Sequence, residues 1–276
     1  MYKLTNMNEI ELLKDYVDSD LYTRLLANRH VCFALEEGVF LISFHFCDIK
    51  NPSIREERIC IYCSDTDFLF LTNNALCEKL MREVDSNKDH YAQLVGFFHS
   101  LTANDVYALE KTEDRIISLE DTLLVEKSTK SYRTAQIIGL RRELLQMKRY
   151  YEQLTMITSE LAENENKAFS KELQKRMSTL DRRVDYLLNS VLHLREYITQ
   201  VREAYQAQID IEQNQIMKVF TVITAVFLPL TLIVGWFGMN LQMPEYSWSF
   251  GYVYVILLSV VVCLATVIFF KLKKWF

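Results

Sequence analysis

Near its end the chain carries two uncharged runs of 21 residues each, at 219–239 and 250–270. At ~1.5 Å per residue a helix of that length reaches about 31 Å, enough to cross the hydrocarbon core of a bilayer. The runs stand in tandem, bounded by Lys218 and by Lys271, Lys273 and Lys274, which predicts two membrane spans rather than two buried helices of a soluble core. Trp236, Trp248 and Trp275, the only tryptophans, all fall at predicted span ends, where amphipathic rings collect. The connecting loop at 240–249 has no Lys or Arg, whereas basic residues flank the far ends of both spans. That asymmetry predicts a multi-pass protein of the cell (inner) membrane with both termini cytoplasmic and the short loop, 240–249, outside.

The last 58 residues hold four charges, Glu245, Lys271, Lys273 and Lys274, a net of +2, so the whole-chain charge of −5 leaves −7 on the first 218 residues. An acidic, charge-dense soluble part therefore precedes a nearly charge-free one. Nucleic acid is excluded as a partner, because phosphate binding needs clustered Lys and Arg. The first ten residues lack the cationic and apolar regions of a secretory signal, so no cleaved leader is expected. Cys60 and Cys63 form a lone C-x-x-C in a strand-like stretch, where an odd separation points the thiols to opposite faces. A structural zinc site needs two further ligands at suitable spacing, so the thiols are read as reduced and buried. His30, His45, His90, His99 and His193 show no H-x-x-x-H spacing, and neither G-x-S-x-G nor a P-loop pattern occurs. No enzyme activity and no organic cofactor are expected.

Between residues 31 and 71 the pattern is strand-like: short β-branched or aromatic runs such as 39–46 and 59–63, punctuated by Gly38 and by Asn51 with Pro52. Helical patterns at 10–26, 74–84 and 90–101 surround them, which predicts a small α/β domain over 1–101. From 102 to 218 there is no proline and only one glycine, Gly139, so this region is read as long helices at 106–125 and 137–161, joined by a polar stretch at 126–131, and a third beyond Asn164. In that third helix Leu173, Met177, Leu180, Val184, Leu187, Val191, Leu194, Ile198, Val201 and Tyr205 recur at 4-3 spacing, a coiled-coil seam. No breaker separates it from the first span. One rod from about 171 through 237 is the economical reading, roughly 100 Å long. The expected fold is thus an α+β membrane protein: an α/β domain, a helical stalk region (102–218), spans at 219–239 and 250–270, and a basic tail (271–276).

Within the first span Thr221, Thr224 and Thr231 fall on one helical face, inside an arc of about 80° at ~100° per residue. Leu228, Gly235 and Gly238 share that face, as do Met217, Asn214, Asp210 and Glu203 earlier in the rod. Threonine bonds its own i−4 carbonyl, so the stripe is compatible with plain helix packing in lipid. It also suits the wall of a wet pathway, and that reading demands an oligomer with this face turned to the axis.

The first span ends in Phe237, Gly238, Met239 and Asn240, and the loop continues with Met243, Pro244 and Glu245. Together with the stretch from Asn214 through Val219 and the sequence Phe227, Leu228, Pro229, Leu230, Thr231, this resembles the CorA family of Mg²⁺ and Co²⁺ channels. The likeness covers about 206–276 best. The resemblance implies a funnel-shaped homopentamer in which the stalk helix becomes the pore-lining span and the second span is peripheral. It implies a selectivity filter at Gly238, Met239 and Asn240, with Glu245 in the loop beside it. Asn214, Thr224 and Thr231 would form polar rings lower in the pore, alongside Thr221 and Gly235. Met217, Phe220 and Leu228 occupy positions of the family's hydrophobic constriction, Phe220 replacing the usual aliphatic residue. Glu203, Asp210 and Asp48 are the expected regulatory Mg²⁺ carboxylates, between subunits.

These residue types suit the ion. Mg²⁺ holds its water tightly in an octahedral oxygen shell, so a ring of Asn and Gly carbonyls that accepts bonds from that water is the expected filter. The stripe has neither Cys nor His, which softer metals prefer. The expected function is a divalent-cation channel in a lipid bilayer passing Mg²⁺, with Co²⁺ and Ni²⁺ as further cargo, driven by the electrochemical gradient and gated by cytosolic Mg²⁺. Two alternatives stand beside it. One is a Zn²⁺ or Ni²⁺ transporter of the same superfamily, whose Zn²⁺ branch commonly carries Gly-Ile-Asn. The other is a membrane-anchored coiled-coil scaffold or sensor.

Overall fold

The computed structural model describes residues 3–27, 31–35, 38–52, 56–85, 87–125, 130–239 and 248–273. Asn240, Glu245 and Trp275, singled out by the sequence, lie outside the described residues. The chain divides into two compact units, Met1–Arg202 and Glu203–Phe276.

The first unit is built on a five-stranded sheet: β1 (Lys3–Thr5), β2 (Val31–Ala34), β3 (Phe40–Phe46), β4 (Glu57–Cys63) and β5 (Phe68–Thr72). Its spatial order is β1-β5-β4-β3-β2, with β1 parallel to β5 and the other pairs antiparallel. The central strands are buried on both faces, which is why they read as continuous apolar runs rather than alternating ones. On one face Leu41, Cys60, Tyr62, Leu69 and Leu71 form a core with Leu13 of the 3-10 helix Met7–Asp15 and Leu25 of α1 (Ser19–Ala27). The sequence reads 10–26 as one helix; the structure has these two pieces, because the chain leaves the 3-10 helix at Tyr16, whose N–H closes on Leu13 O. On the other face Phe44 and Phe70 meet Phe98 and Phe97 of α3 (His90–Leu101), with centroids 5.8 and 4.8 Å apart. Cys60 and Cys63 stand on opposite faces of β4, as an odd separation requires. Burial pushes both thiols up, so they stay protonated at neutral pH.

Asn74 and Asp89 cap the N-termini of α2 (Ala75–Glu83) and α3 through their side-chain oxygens. Three long helices follow: α4 (Asp105–Val125), α5 (Lys130–Glu163) and α6 (Lys171–Phe237). In the first unit the predicted seam of α6, from Leu173 through Val201, is buried at every position. Ile137, Leu140, Leu144, Met147, Tyr151 and Leu154 of α5 are buried likewise. Thr158 of α5 donates to Asp181 of α6 at 2.7 Å, and Arg115 of α4 grips Glu143 of α5 with both guanidinium nitrogens, at 2.8 and 3.3 Å. Asn164 breaks the helix between α5 and α6: its φ is +52°, and its side chain accepts from Phe169 N–H and donates to Phe169 O.

The second unit holds the outer part of α6 and α7 (Gly251–Leu272). Both helices are long and apolar enough to cross a membrane, and almost none of their apolar windows is buried. Pro229 lies inside α6 without ending it; its missing N–H leaves the Ala225 carbonyl without that partner.

Candidate ion pathway

In the outer part of α6 the shielded positions are Val222, Ala225, Val226, Pro229, Ile233 and Phe237. They repeat at helical spacing, and the other described element of this unit is α7, whose own half-buried positions, among them Val255, Ser259 and Val262, form one face. The face of α6 that carries the threonines points elsewhere, about 150° around the helix from the shielded face. Thr221, Thr224, Leu228, Thr231 and Gly235 are exposed, Leu228 by 64%, and Met217 and Asn214 continue the uncovered stripe toward the first unit. Phe220 stands about 100° from Thr221, at the edge of the stripe.

Each threonine hydroxyl donates to the carbonyl one turn back: Thr221 to Met217 at 2.8 Å, Thr224 to Phe220 at 2.9 Å and Thr231 to Phe227 at 2.8 Å. The single hydroxyl proton is thereby committed to the helix, and the oxygen presents lone pairs outward as an acceptor. Such a row accepts hydrogen bonds from the water shell of a hydrated cation and offers no fixed charge to trap it. Ser259 and Thr266 of α7 bond back to Val255 and Val262 in the same way, so back-bonding alone does not define a pathway. What sets the α6 threonines apart is their common uncovered face. Ile223, Phe227, Thr231, Gly235, Trp236 and Met239 border an open concavity of about 820 Å³ along that side.

Gly238 has a structural reason to be glycine. The helix stops at Phe237, and the Gly238 N–H closes back onto Val234 O at 2.8 Å. A Cβ at position 238 would sit 2.8 Å from that same carbonyl oxygen, closer than carbon and oxygen approach without displacement. The chain thus turns out of the helix at Gly238 and leads through Met239 to position 240. Of the three expected filter residues, Gly238 and Met239 are at this outer end of α6, and Asn240 lies outside the described residues.

Glu203 and Asp210 lie in the second unit, both exposed and two turns apart on α6, and Gln206 donates to Asp210 at 3.0 Å. Asp48 belongs to the first unit, where it accepts from Lys50 N–H at 3.0 Å and from the Asn51 side chain at 3.2 Å, capping its own turn. Among the described residues no three His, Cys, Asp or Glu side chains gather as metal ligands.

One feature without a sequence signal is a buried carboxylate. Asp105, at the start of α4, accepts from Tyr151 at 2.9 Å, and Arg183 donates to the neighbouring Ala103 O at 2.8 Å. Burial pushes the Asp105 carboxyl up to about 6, against the opposing pull of the Tyr151 hydroxyl and the Arg183 charge, with Asp48 adding to the rise.

Comparison with known proteins agrees with this architecture. The sequence profile described as CorA-like Mg2+ transporter protein matches residues 3–274. The cobalt/magnesium transport protein CorA of Thermotoga maritima is 32% identical over 185 residues, 66% of this chain and 52% of that protein. The magnesium transport protein CorA of Escherichia coli K12 is 40% identical over 95 residues, 34% of this chain and 30% of that one. The matched segments thus take in about half of one curated relative and under a third of the other. The complete structure of the CorA magnesium transporter from Methanocaldococcus jannaschii superposes with a TM-score of 0.78 over 98% of this chain and 88% of its own, at 20% identity. The full-length CmaX protein superposes with a TM-score of 0.75 over 96% and 85%, also at 20% identity. At that identity the likeness is one of fold. With the family profile spanning nearly the whole length, the chain belongs to the CorA-like Mg2+ transporter protein family.

Proposed function

We propose that this chain is the subunit of a membrane channel that passes Mg²⁺, with Co²⁺ and Ni²⁺ as cations that its oxygen-acceptor chemistry also admits. The observation that carries the reading is the uncovered stripe of back-bonded threonines, Thr221, Thr224 and Thr231, on the side of α6 turned away from α7. One helix cannot enclose a pathway, so several copies surround an axis, a pentamer by likeness to the family. The second span, α7, is then peripheral. Both termini are cytoplasmic, and 240–249 faces outside.

Hydrated Mg²⁺ meets Asn240 and the Gly238 backbone first. An amide oxygen accepts bonds from the ion's water without displacing it, which matches an ion that sheds water reluctantly. Met239 lies between them, and Glu245 in the loop adds a negative charge at the entrance. Below, Thr231, Thr224, Thr221 and Asn214 continue the acceptor row past Gly235, while Leu228 and Met217 are apolar rings that block ions by dewetting when the pathway narrows. Entry needs no nucleotide, since a divalent ion gains about 4.6 kcal/mol per 100 mV of inside-negative potential. Glu203 and Asp210 serve as cytosolic Mg²⁺ sensors, with Asp48 as a third candidate carboxylate.

The test is flux in liposomes containing the purified protein, with Mg²⁺, Co²⁺, Ni²⁺ and Zn²⁺ offered in turn. Mg²⁺ entry that follows an imposed potential and is lost in Asn240→Ala, with the oligomer intact, is the expected result. Zn²⁺ flux without Mg²⁺ flux would transfer the chain to the zinc branch of the superfamily, and no flux of any cation would return it to a scaffold.

A further inference from the structure

Apart from the threonine stripe and the face shielded with α7, the outer part of α6 has two flanks, and they differ. One carries Ile216, Phe220, Ile223, Phe227, Leu230 and Val234, large apolar residues at an unbroken 4-3-4-3-4 spacing. Five of them are well exposed, from 48% at Ile223 to 64% at Val234, and Leu230 is half-buried. This ridge lies about 100° from the stripe. The other flank, about 85° from the stripe on its opposite side, carries Lys218, Ala225 and Leu232 at seven-residue intervals. Ala225 ends at its Cβ, so a notch lies between Lys218 and Leu232.

Lipid alone does not account for the ridge. A surface that merely faces acyl chains needs no heptad register, whereas helix–helix packing does. The ridge also runs past Lys218, which bounds the apolar run, to Ile216, which is 56% exposed. Ile209, half-buried, continues the same side a further two turns back. Large aliphatic side chains at those positions lie outside the membrane core, and a protein surface is what covers them.

We infer that the occupant is a second copy of this chain: the Phe220–Phe227–Val234 ridge of one α6 packs against the Ala225 flank of the next, Phe227 seating in the Ala225 notch. The inference rests on the oligomeric reading above and deepens it. Small residues let membrane helices approach closely, so a large side chain opposite Ala225 fills space that two large ridges would dispute. Because ridge and notch are different surfaces of one helix, the contact is head-to-tail, the kind that closes into a ring when its rotation allows. Both flanks border the threonine stripe, so each contact turns that stripe toward a common axis. Phe220 then belongs to the contact between subunits rather than to the wall of the pathway.

The test uses the full-length protein in vesicles with Cys263 replaced by Ser, which removes the single cysteine of the second unit. Ala225→Cys and Phe227→Cys are introduced separately and together, then oxidised with copper-phenanthroline. Positions 225 and 227 are about 200° apart on the helix, too far round for a disulfide within one chain. Only the double variant is expected to give a ladder of covalent bands rising to the full ring, while each single variant stays monomeric. Dimers from Phe227→Cys alone would mean ridge against ridge and overturn the inference. So would an absence of bands in the double variant when N-ethylmaleimide labels both thiols, because lipid would then cover the ridge. Flux of the Cys263→Ser parent is read in parallel: bands without flux leave the contact standing and remove the channel, and flux without bands does the reverse.

Discussion

The Tyr151 hydroxyl of α5 donates to the carboxylate of Asp105 at the first position of α4, 2.9 Å away and buried from solvent. Burial outweighs this bond and holds the Asp105 carboxyl at about 6, above the 3.8 of a free side chain. A carboxyl raised in the folded state binds its proton more tightly there than when unfolded. The stability it contributes is therefore fully present below about pH 4 and is lost as the pH rises through about 6. Between pH 5 and pH 7 this amounts to about 1 kcal/mol. Asp105→Asn should remove that part of the pH dependence, so that the difference in Tm between the two pH values shrinks by about 2–4 °C relative to wild type. Thermal unfolding of the detergent-solubilised chain at both pH values measures it; an unchanged difference would mean that Asp105 does not titrate in this window.

Replacing Thr224 and Thr231 by Val keeps the shape of each side chain and removes the outward acceptor. Because both hydroxyls spend their protons on their own helix, assembly and Tm should change little. Mg²⁺ flux should fall by roughly fivefold or more, the equivalent of about 1 kcal/mol in lost water-mediated bonding. Thr266→Val on α7 loses the same kind of back-bond on a helix placed outside the pathway, and its flux should match wild type. Equal effects from α6 and α7 would place the acceptor row elsewhere.

Gly238→Ala brings a Cβ to 2.8 Å from Val234 O, and a backbone carbonyl at a helix end yields less readily than a flexible side chain. The closing turn must shift, moving Met239 and whatever follows. The expected outcome is an assembled oligomer with Mg²⁺ flux reduced at least about tenfold, while the strain lowers stability by only about 1–2 kcal/mol. Native-gel migration and flux from one preparation decide between this and a folding defect; normal flux would show that the turn at Gly238 does not position the filter.

Long-range order along the helices was legible for a physical reason. With no proline between Ser53 and Leu228, nothing interrupts the 3.6-residue period, and α6 runs from Lys171 to Phe237 as that period predicts. The threonine face was legible too, because angular position on a helix is arithmetic. β1 was not, since three residues, Lys3–Thr5, form a strand only by pairing in parallel with Leu69–Leu71 across more than sixty residues. Nor was the pairing of Asp105 with Tyr151, which are 46 residues apart and brought together by helix packing. The stop at Tyr16 splits a 10–26 pattern whose apolar spacing alone reads as one helix. The ridge from Ile216 to Val234 was visible in principle as a heptad, but until the shielded face was known its residues could equally be assigned to lipid or to α7.

Cytosolic Mg²⁺ is expected to close the channel through Glu203 and Asp210. Both carboxylates are exposed, and both lie on the side of α6 that continues the threonine stripe, so a ring of copies brings like charges together around the axis. The first 218 residues carry −7, which adds to the repulsion in each subunit. Without a divalent ion the charges push neighbouring helices apart; with one bound, the packed arrangement is favoured by the ion's greater affinity for that state. Turning a mostly open gate into a mostly closed one takes on the order of 3–5 kcal/mol in total, which five weak sites of about 1 kcal/mol each supply. Such sites respond to millimolar rather than micromolar Mg²⁺. Glu203→Gln combined with Asp210→Asn should leave conduction intact and shift the midpoint of inhibition by internal Mg²⁺ upward by about tenfold or more. Asp48→Asn should change that midpoint little, because its carboxylate already serves the turn through Lys50 and Asn51. Patch recordings with stepped internal Mg²⁺ give both midpoints, and a double variant that keeps the wild-type midpoint would move the gating site away from α6.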